Sequence, residues 1–282
     1  VTRLLLGVAL LFGGVTHARA AAFTWQHDAH ASTPASDSLS PGFRAAFDAN
    51  DVRARAIRYW LQCVPTIARL RADGRFGPAP TAPRLIHCER LSSGEPIGGV
   101  FDVDSSFTRV SRLQLVRLDG DRSAYTGPID TVRVAREAQL ARDVTSLLTP
   151  AARRENRPFS AIPIARPGGV SEVWAMPRAN RVRMVVTGGE RAYTRAADGS
   201  LRVLVDRSAT WTQLPPPADG PRLLESAADT VPGVGDLSPA RHQAEFGRVV
   251  TVRTRVVESR LVPGLDPATG ARVVWEHASI RP

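Results

Sequence analysis

The feature that most constrains the fold is a change of hydrophobic period near Gly94. Before it, Ile57, Trp60, Leu61 and Val64 recur at helical spacing, with Arg53, Arg55 and Arg58 on other faces. After it, apolar and polar residues alternate: Ile97, Phe101 and Val103 against Gly98, Asp102 and Asp104. A helical part followed by strands is expected to pack on, or lead into, a sheet. The expectation is an α+β fold, an N-terminal helical part plus a mostly antiparallel β-sheet with one inserted helix.

Punctuation residues place the elements. Ser40-Pro41 is a helix start, and Asn50-Asp51 reads as a second one; Pro65 should kink or end the helix. Residues 71–84, rich in Gly and Pro, read as a loop. Val110 to Leu118 is a strand closed by the turn Asp119-Gly120-Asp121. Asp130 caps the inserted helix, with an apolar stripe of Leu140, Val144, Leu147 and Leu148 and a stop at Pro150. Arg133 and Glu137 fall four apart on it, a surface pair worth a few tenths of a kcal/mol at most.

Residues 158–214 read as a meander, with the hairpin turn Asp198-Gly199 and with Leu201, Val203 and Val205 facing the core. The double glycines at 98–99, 168–169 and 188–189 read as turns between strands. Val249 to Val257 and Ala271 to Trp275 complete the strands. Residues 41–282 are expected to form one domain, helical over 41–94 and β-rich over 95–282, behind a flexible lead-in at 21–40.

The first twenty residues read as a cleavable signal peptide. Arg3 precedes an apolar run from Leu4 to Val15, and Ala18-Arg19-Ala20 supplies small residues for cleavage after Ala20, or after Ala22. As a helix that run spans about 18 Å, against about 30 Å of bilayer hydrocarbon. No cysteine follows that could take a lipid. The expected place of action is therefore the periplasm or the medium, with membrane contact only through the signal peptide before cleavage. In that setting Cys63 and Cys88 are expected to form a disulfide rather than reactive thiols, and two cysteines alone cannot close a zinc site.

All 37 basic residues are arginine, and the formal net charge is +10. The excess is spread thinly along the chain, so nucleic acid is not expected as a partner. If one face did gather it, Arg181, Arg183, Arg253 and Arg255 would be the residues to bind an anionic envelope polymer.

A resemblance rests on Val173-Trp174-Ala175-Met176-Pro177, Gly188-Gly189-Glu190-Arg191-Ala192-Tyr193 and Ala197-Asp198-Gly199. This stretch, residues 170–205, resembles a pattern in uncharacterised exported bacterial proteins. The resemblance implies a β-rich secreted protein and carries no activity. Those proteins often have a His soon after the hairpin, where this chain reads Val205-Asp206-Arg207-Ser208.

The chain has no nucleophile elbow, His-Glu-x-x-His, phosphate loop or dinucleotide fingerprint. His27 and His30 could share a metal on a helix, but a closed site needs more ligands, and neither a metal nor any other cofactor is expected. Asp102 and Asp104 would share one strand face about 6.5–7 Å apart. Arg241-His242 followed by Glu245 is the most enzyme-like local group, and His87 and His277 complete the catalytic candidates. Trp174, Trp211 and Trp275 are expected to pack rather than to line a groove. These readings favour an exported non-catalytic envelope protein that binds a protein partner or ligand. The alternatives are a secreted hydrolase with a non-standard site and an arginine-mediated polyanion binder.

Overall fold

The computed structural model describes residues 39–78, 84–120, 122–165, 171–179, 184–214, 222–228, 230–245, 248–263 and 273–280. The chain opens with α1 (Pro41–Ala72), followed by β1 (Arg84–Arg90), β2 (Pro96–Val103), β3 (Val110–Arg117) and β4 (Ala124–Tyr125). Next come α2 (Thr131–Glu155), β5 (Phe159–Ala165), β6 (Ser171–Pro177), β7 (Val185–Thr187), β8 (Arg191–Arg195) and β9 (Leu201–Asp206). The last elements are β10 (Thr212–Leu214), β11 (Arg222–Glu225), α3 (Val234–Ala244), β12 (Val250–Arg253), β13 (Val257–Pro263) and β14 (Val273–Ser279). The fold is α+β, with mostly antiparallel strands.

The strands form several sheets. One runs β1-β2-β3-β4, a second β5-β6-β8-β9 and a third β11-β12-β13-β14, while β7 pairs with β10. The only parallel pairing among the described strands is β11 with β12, bridged by α3 as a crossover. No helix among the described residues is long and apolar enough to cross a membrane.

α1 is one continuous helix. The Ser40 hydroxyl accepts from the Phe43 amide and Pro41 takes the first turn, as the sequence suggests. Asn50-Asp51 starts nothing: Asp51 is buried mid-helix, bound by Arg241 from α3 at 2.5 and 2.6 Å. Pro65 sits inside the helix on its exposed side. Phe43, Phe47, Ala54 and Ile57 bury into one core cluster, and Cys63, Ile67 and Leu70 into another. Packing on both sides of Pro65 thus outweighs its missing N–H. In α2, Pro150 is likewise exposed, and the helix runs on to Asn156, a left-handed cap at φ 51° and ψ 43°. Leu140, Val144 and Leu148 are buried as expected, but Leu147 is 55% exposed.

β1 begins at Arg84, ten residues before the change of period, because its residues are covered on both faces and do not alternate in polarity. Gly98 and Gly99 lie within β2, opposite Cys88 and His87, and are not a turn. Gly188 and Gly189 do turn, at φ 62° and 76°. The expected inward set on β9 fails at Val203, which is 54% exposed, since the register against β8 shifts between Ala192 and Tyr193. Residues 1–38, Gly168 and Gly169 lie outside the described residues, as do Arg181 and Arg183.

Candidate functional site

A cavity of about 1210 Å³ opens between α1 and α2. All seven residues of β1 line it, from Arg84 to Arg90, together with Ala161, Pro163, Ile164 and Ala165 around β5 and Arg241 and Glu245 at the end of α3. It is somewhat larger than the usual small-molecule pocket of about 300–1,000 Å³. Eight arginines line it, Arg55, Arg58, Arg71, Arg84, Arg90, Arg133, Arg142 and Arg241, against three carboxylates, Glu89, Glu137 and Glu245.

One wall carries a buried polar cluster. On β1, His87 and Glu89 are two apart and so share a strand face, which places His87 Nε2 3.1 Å from Glu89 Oε2. Arg133 reaches across from α2 and donates to both Glu89 oxygens, at 2.8 and 2.7 Å, and to Glu137 at 3.1 Å. Ser171 donates to Glu137 at 3.3 Å. The His87 ring meets Phe101 edge-on. Burial alone would raise the Glu89 pKa, but the bonds from His87 and Arg133 outweigh it and hold the carboxyl below its ordinary range. Burial pushes Glu137 the other way, above that range, with Arg133 only partly offsetting it. The two carboxylates that Arg133 bridges thus differ in proton affinity.

At the α3 end of the cavity, Arg58 donates to Glu245 at 2.7 Å and to His242 Nδ1 at 2.8 Å. His242 lies 3.5 Å from the same carboxylate. Burial raises Glu245, and the neighbouring His242 and Arg58 outweigh it, leaving the pKa at about 2. The grouping expected around His242 and Glu245 therefore exists, with Arg58 as its third member. It neutralises itself at the end of a helix that begins at Val234, before Ser238-Pro239.

The other candidates are dispersed. Asp102 does not share an exposed face with Asp104. It is buried and receives Arg84 at 2.9 and 3.3 Å, with Arg84 itself 2% exposed. β2 ends at Val103, so Asp104 enters a turn and accepts from the Thr108 hydroxyl and amide, both at 2.7 Å, and from Ser106 and Arg109. Those bonds, the Thr108 hydroxyl first, bring its pKa to about 2. His277 is on β14, bonded to the buried Ser259 Oγ at 2.9 Å and packed edge-on against Phe43 and Phe47.

Arg253 pairs with Glu258 at 3.1 Å. β12 ends there, so Arg255 falls in the following turn and not on the same strand face. Trp174 is buried with its indole N–H on Glu172, and Trp275 donates to Asp51. Cys63 and Cys88 form the expected disulfide, tying α1 to β1. Among the described residues no group of three or more His, Cys, Asp or Glu could hold a metal ion. His27 and His30 lie outside the described residues.

Sequence reasoning missed Glu89, Arg133 and Glu137 as site residues. The spacing of Arg133 and Glu137 was visible, but it reads as a surface pair unless β1 is known to cross beneath it. The chain matches no family model, no curated protein and no solved structure.

Proposed function

We propose that this is an exported, non-catalytic envelope protein, and that the cavity between α1 and α2 binds an anionic partner or ligand with apolar parts. The observation that carries the reading is the composition of the wall: eight arginines and three carboxylates around an apolar floor that includes Leu85, Ile86, Ala138 and Ala141. Some of that charge is already matched, since Asp51, Asp102 and Asp143 pair with Arg241, Arg84 and Arg142 from outside the lining. Among the described residues, no carboxylate lies within ion-pair distance of Arg71 or Arg90, so a positive surplus remains for an anion. The disulfide supports the exported setting.

The test is uptake of one aromatic body in three charge forms. Anilinonaphthalene sulfonate should bind and brighten, and neutral and cationic analogues of the same body should bind more weakly. Ala138→Trp, which fills the cavity from α2, should lower binding of the anionic probe. Equal uptake of all three forms, or uptake untouched by the Trp, would overturn the reading.

A second reading, a secreted hydrolase, is favoured by one observation in the same cavity: His87 beside two carboxylates of opposite tendency, Glu89 and Glu137. It requires a bell-shaped pH–rate profile that Glu137→Gln abolishes while binding of the anionic probe persists. Loss of both together would count against it.

A further inference from the structure

The cavity has the walls of a place for one more β-strand, and volume enough for it. β1 ends one four-stranded sheet and β5 ends another. Both strands are covered by the same two helices. Ile86 and Cys88 of β1 pack with Cys63, Ile67 and Leu70 of α1, while Leu85 packs with Val134 and Ala138 of α2. On β5, Ile162 and Ile164 pack with Ala54 and Ile57 of α1, while Phe159 and Ala161 pack with Leu140, Val144 and Leu148 of α2. The two sheets are therefore halves of one layer between α1 and α2, and the cavity lies within that layer. A seven-residue strand is about 23 Å long and about 4.8 Å by about 10 Å across, or about 1100 Å³. The cavity measures about 1210 Å³.

The phase of the backbone follows from the hairpin closures. The Leu91 amide bonds the Glu95 carbonyl at 2.9 Å, and the register from there through β1 and β2 is unbroken. Antiparallel pairs alternate, so Glu89, His87 and Leu85 turn their backbone groups to β2, and Arg90, Cys88 and Ile86 turn theirs to the cavity. On β5 the Arg178 amide bonds the Pro158 carbonyl at 2.8 Å, which leaves Ala161, Pro163 and Ala165 facing outward. These three line the cavity. Pro163 has no N–H to donate, so β1 is the more complete edge.

We propose that an extended acidic segment of a partner protein enters this cavity and adds to β1 as its next strand. The proposal rests on the reading of the cavity as the binding site and names its occupant. Main-chain bonds to Ile86, Cys88 and Arg90 give the ladder. Alternate side chains of the guest then point to α1, where Arg71 stands and Arg90 of β1 lies over Tyr59, both with no carboxylate at ion-pair distance among the described residues, and to α2, where Val134, Ala138 and Ala141 line the cavity. The unmatched charge of Arg71 and Arg90 selects acidic residues on the α1 side, and the apolar α2 wall selects apolar ones in alternation.

The experiment is amide exchange by NMR on the whole protein, with a peptide of alternating glutamate and valine as the probe. The peptide should bind and slow exchange at Ile86, Cys88 and Arg90. N-methylating alternate peptide residues, which removes the donors without touching the protein, should weaken binding by at least about tenfold, as should lysine in place of glutamate. Binding without slowing at those amides, or undiminished binding of the N-methylated peptide, overturns the added strand. Slow exchange at the three amides before any peptide is added means that this chain or a second copy covers the edge, and also overturns it. If the peptide fails while anilinonaphthalene sulfonate still enters, the strand proposal falls and the binding cavity stands. If both fail, both fall.

Discussion

Arg53 on α1 lays its guanidinium along Glu172 of β6, Nε to Oε2 at 3.0 Å and Nη2 to Oε1 at 3.3 Å, and that carboxylate is 1% exposed. Trp174 donates to the same carboxylate from its own strand at 3.0 Å. The pair fixes α1 over the second sheet, as the disulfide fixes it over the first. α1 thereby holds both halves of the layer that flank the cavity. Arg53→Met takes this guanidinium away from the buried carboxylate and is expected to cost about 3–5 kcal/mol. Urea denaturation at neutral pH measures it. A loss below about 1 kcal/mol would mean that the pair behaves as a surface bridge.

The Cys63–Cys88 bridge closes a chain separation of 25 residues and joins the middle of α1 to β1. Reduction should cost about 3 kcal/mol, mostly by freeing the unfolded chain. Because β1 forms one edge of the cavity, reduction should also weaken the uptake of an anionic probe. Denaturation and probe titration with and without dithiothreitol separate the two effects. Unchanged stability with intact binding would show that the packing of Cys63, Ile67 and Leu70 holds β1 unaided.

The sequence is most legible where one side chain decides the local geometry. The Ser40 cap, the Asp130 cap and the Asp198-Gly199 turn stand where the residue types put them, and so does the disulfide. It misleads where a distant contact overrides a local rule. Pro65 and Pro150 are carried through by packing on either side. Gly98 looks like a turn residue, but it sits in β2, where glycine is needed because a Cβ would come within 2.7 Å of Cys63 Sγ. Asp102 looks like half of an exposed acidic pair and is instead buried by Arg84, eighteen residues earlier. The Glu89–Arg133–Glu137 cluster needs β1 and α2 brought together across more than forty residues, and no spacing in the sequence shows that approach.

His277 should make folding sensitive to mild acid. Burial lowers its pKa below the ordinary 6.5, and the opposing pull of Asp48 does not offset that. A base whose folded pKa is depressed binds its proton more readily when unfolded. The stability it contributes is full above pH 6.5 and is lost as pH falls through the folded value. His277→Asn removes the titration and keeps a polar partner for Ser259. Its stability relative to the parent should rise as pH falls below about 6.5. A difference that does not change with pH would show that His277 does not titrate on unfolding.

A second buried charge centre predicts the opposite trend. Arg207 donates to Glu190 at 3.0 Å and to Asp236 at 3.2 Å, joining the residue that follows the Gly188-Gly189 turn to the first turn of α3. The two carboxylates are 1% and 3% exposed. Burial, and then the neighbouring Asp236, push Glu190 above its ordinary value of 4.5, while Arg207 pulls it down. Folded Glu190 therefore holds its proton more tightly than unfolded Glu190. That contribution is present below pH 4.5 and is lost as pH rises through the folded value. Arg207→Met removes the opposing cation and raises the folded value further. The variant should lose about 3–5 kcal/mol at neutral pH, where buried Glu190 either keeps its charge without the guanidinium or takes up a proton. The loss should shrink as pH is lowered towards 4.5, because a protonated Glu190 no longer needs the guanidinium. Adding Glu190→Gln should make the remaining loss nearly independent of pH over that range. Denaturation at stepped pH for the parent, the single variant and the double variant gives each difference directly. A loss from Arg207→Met that stays constant from neutral pH to 4.5 would show that Glu190 does not change its protonation over that range.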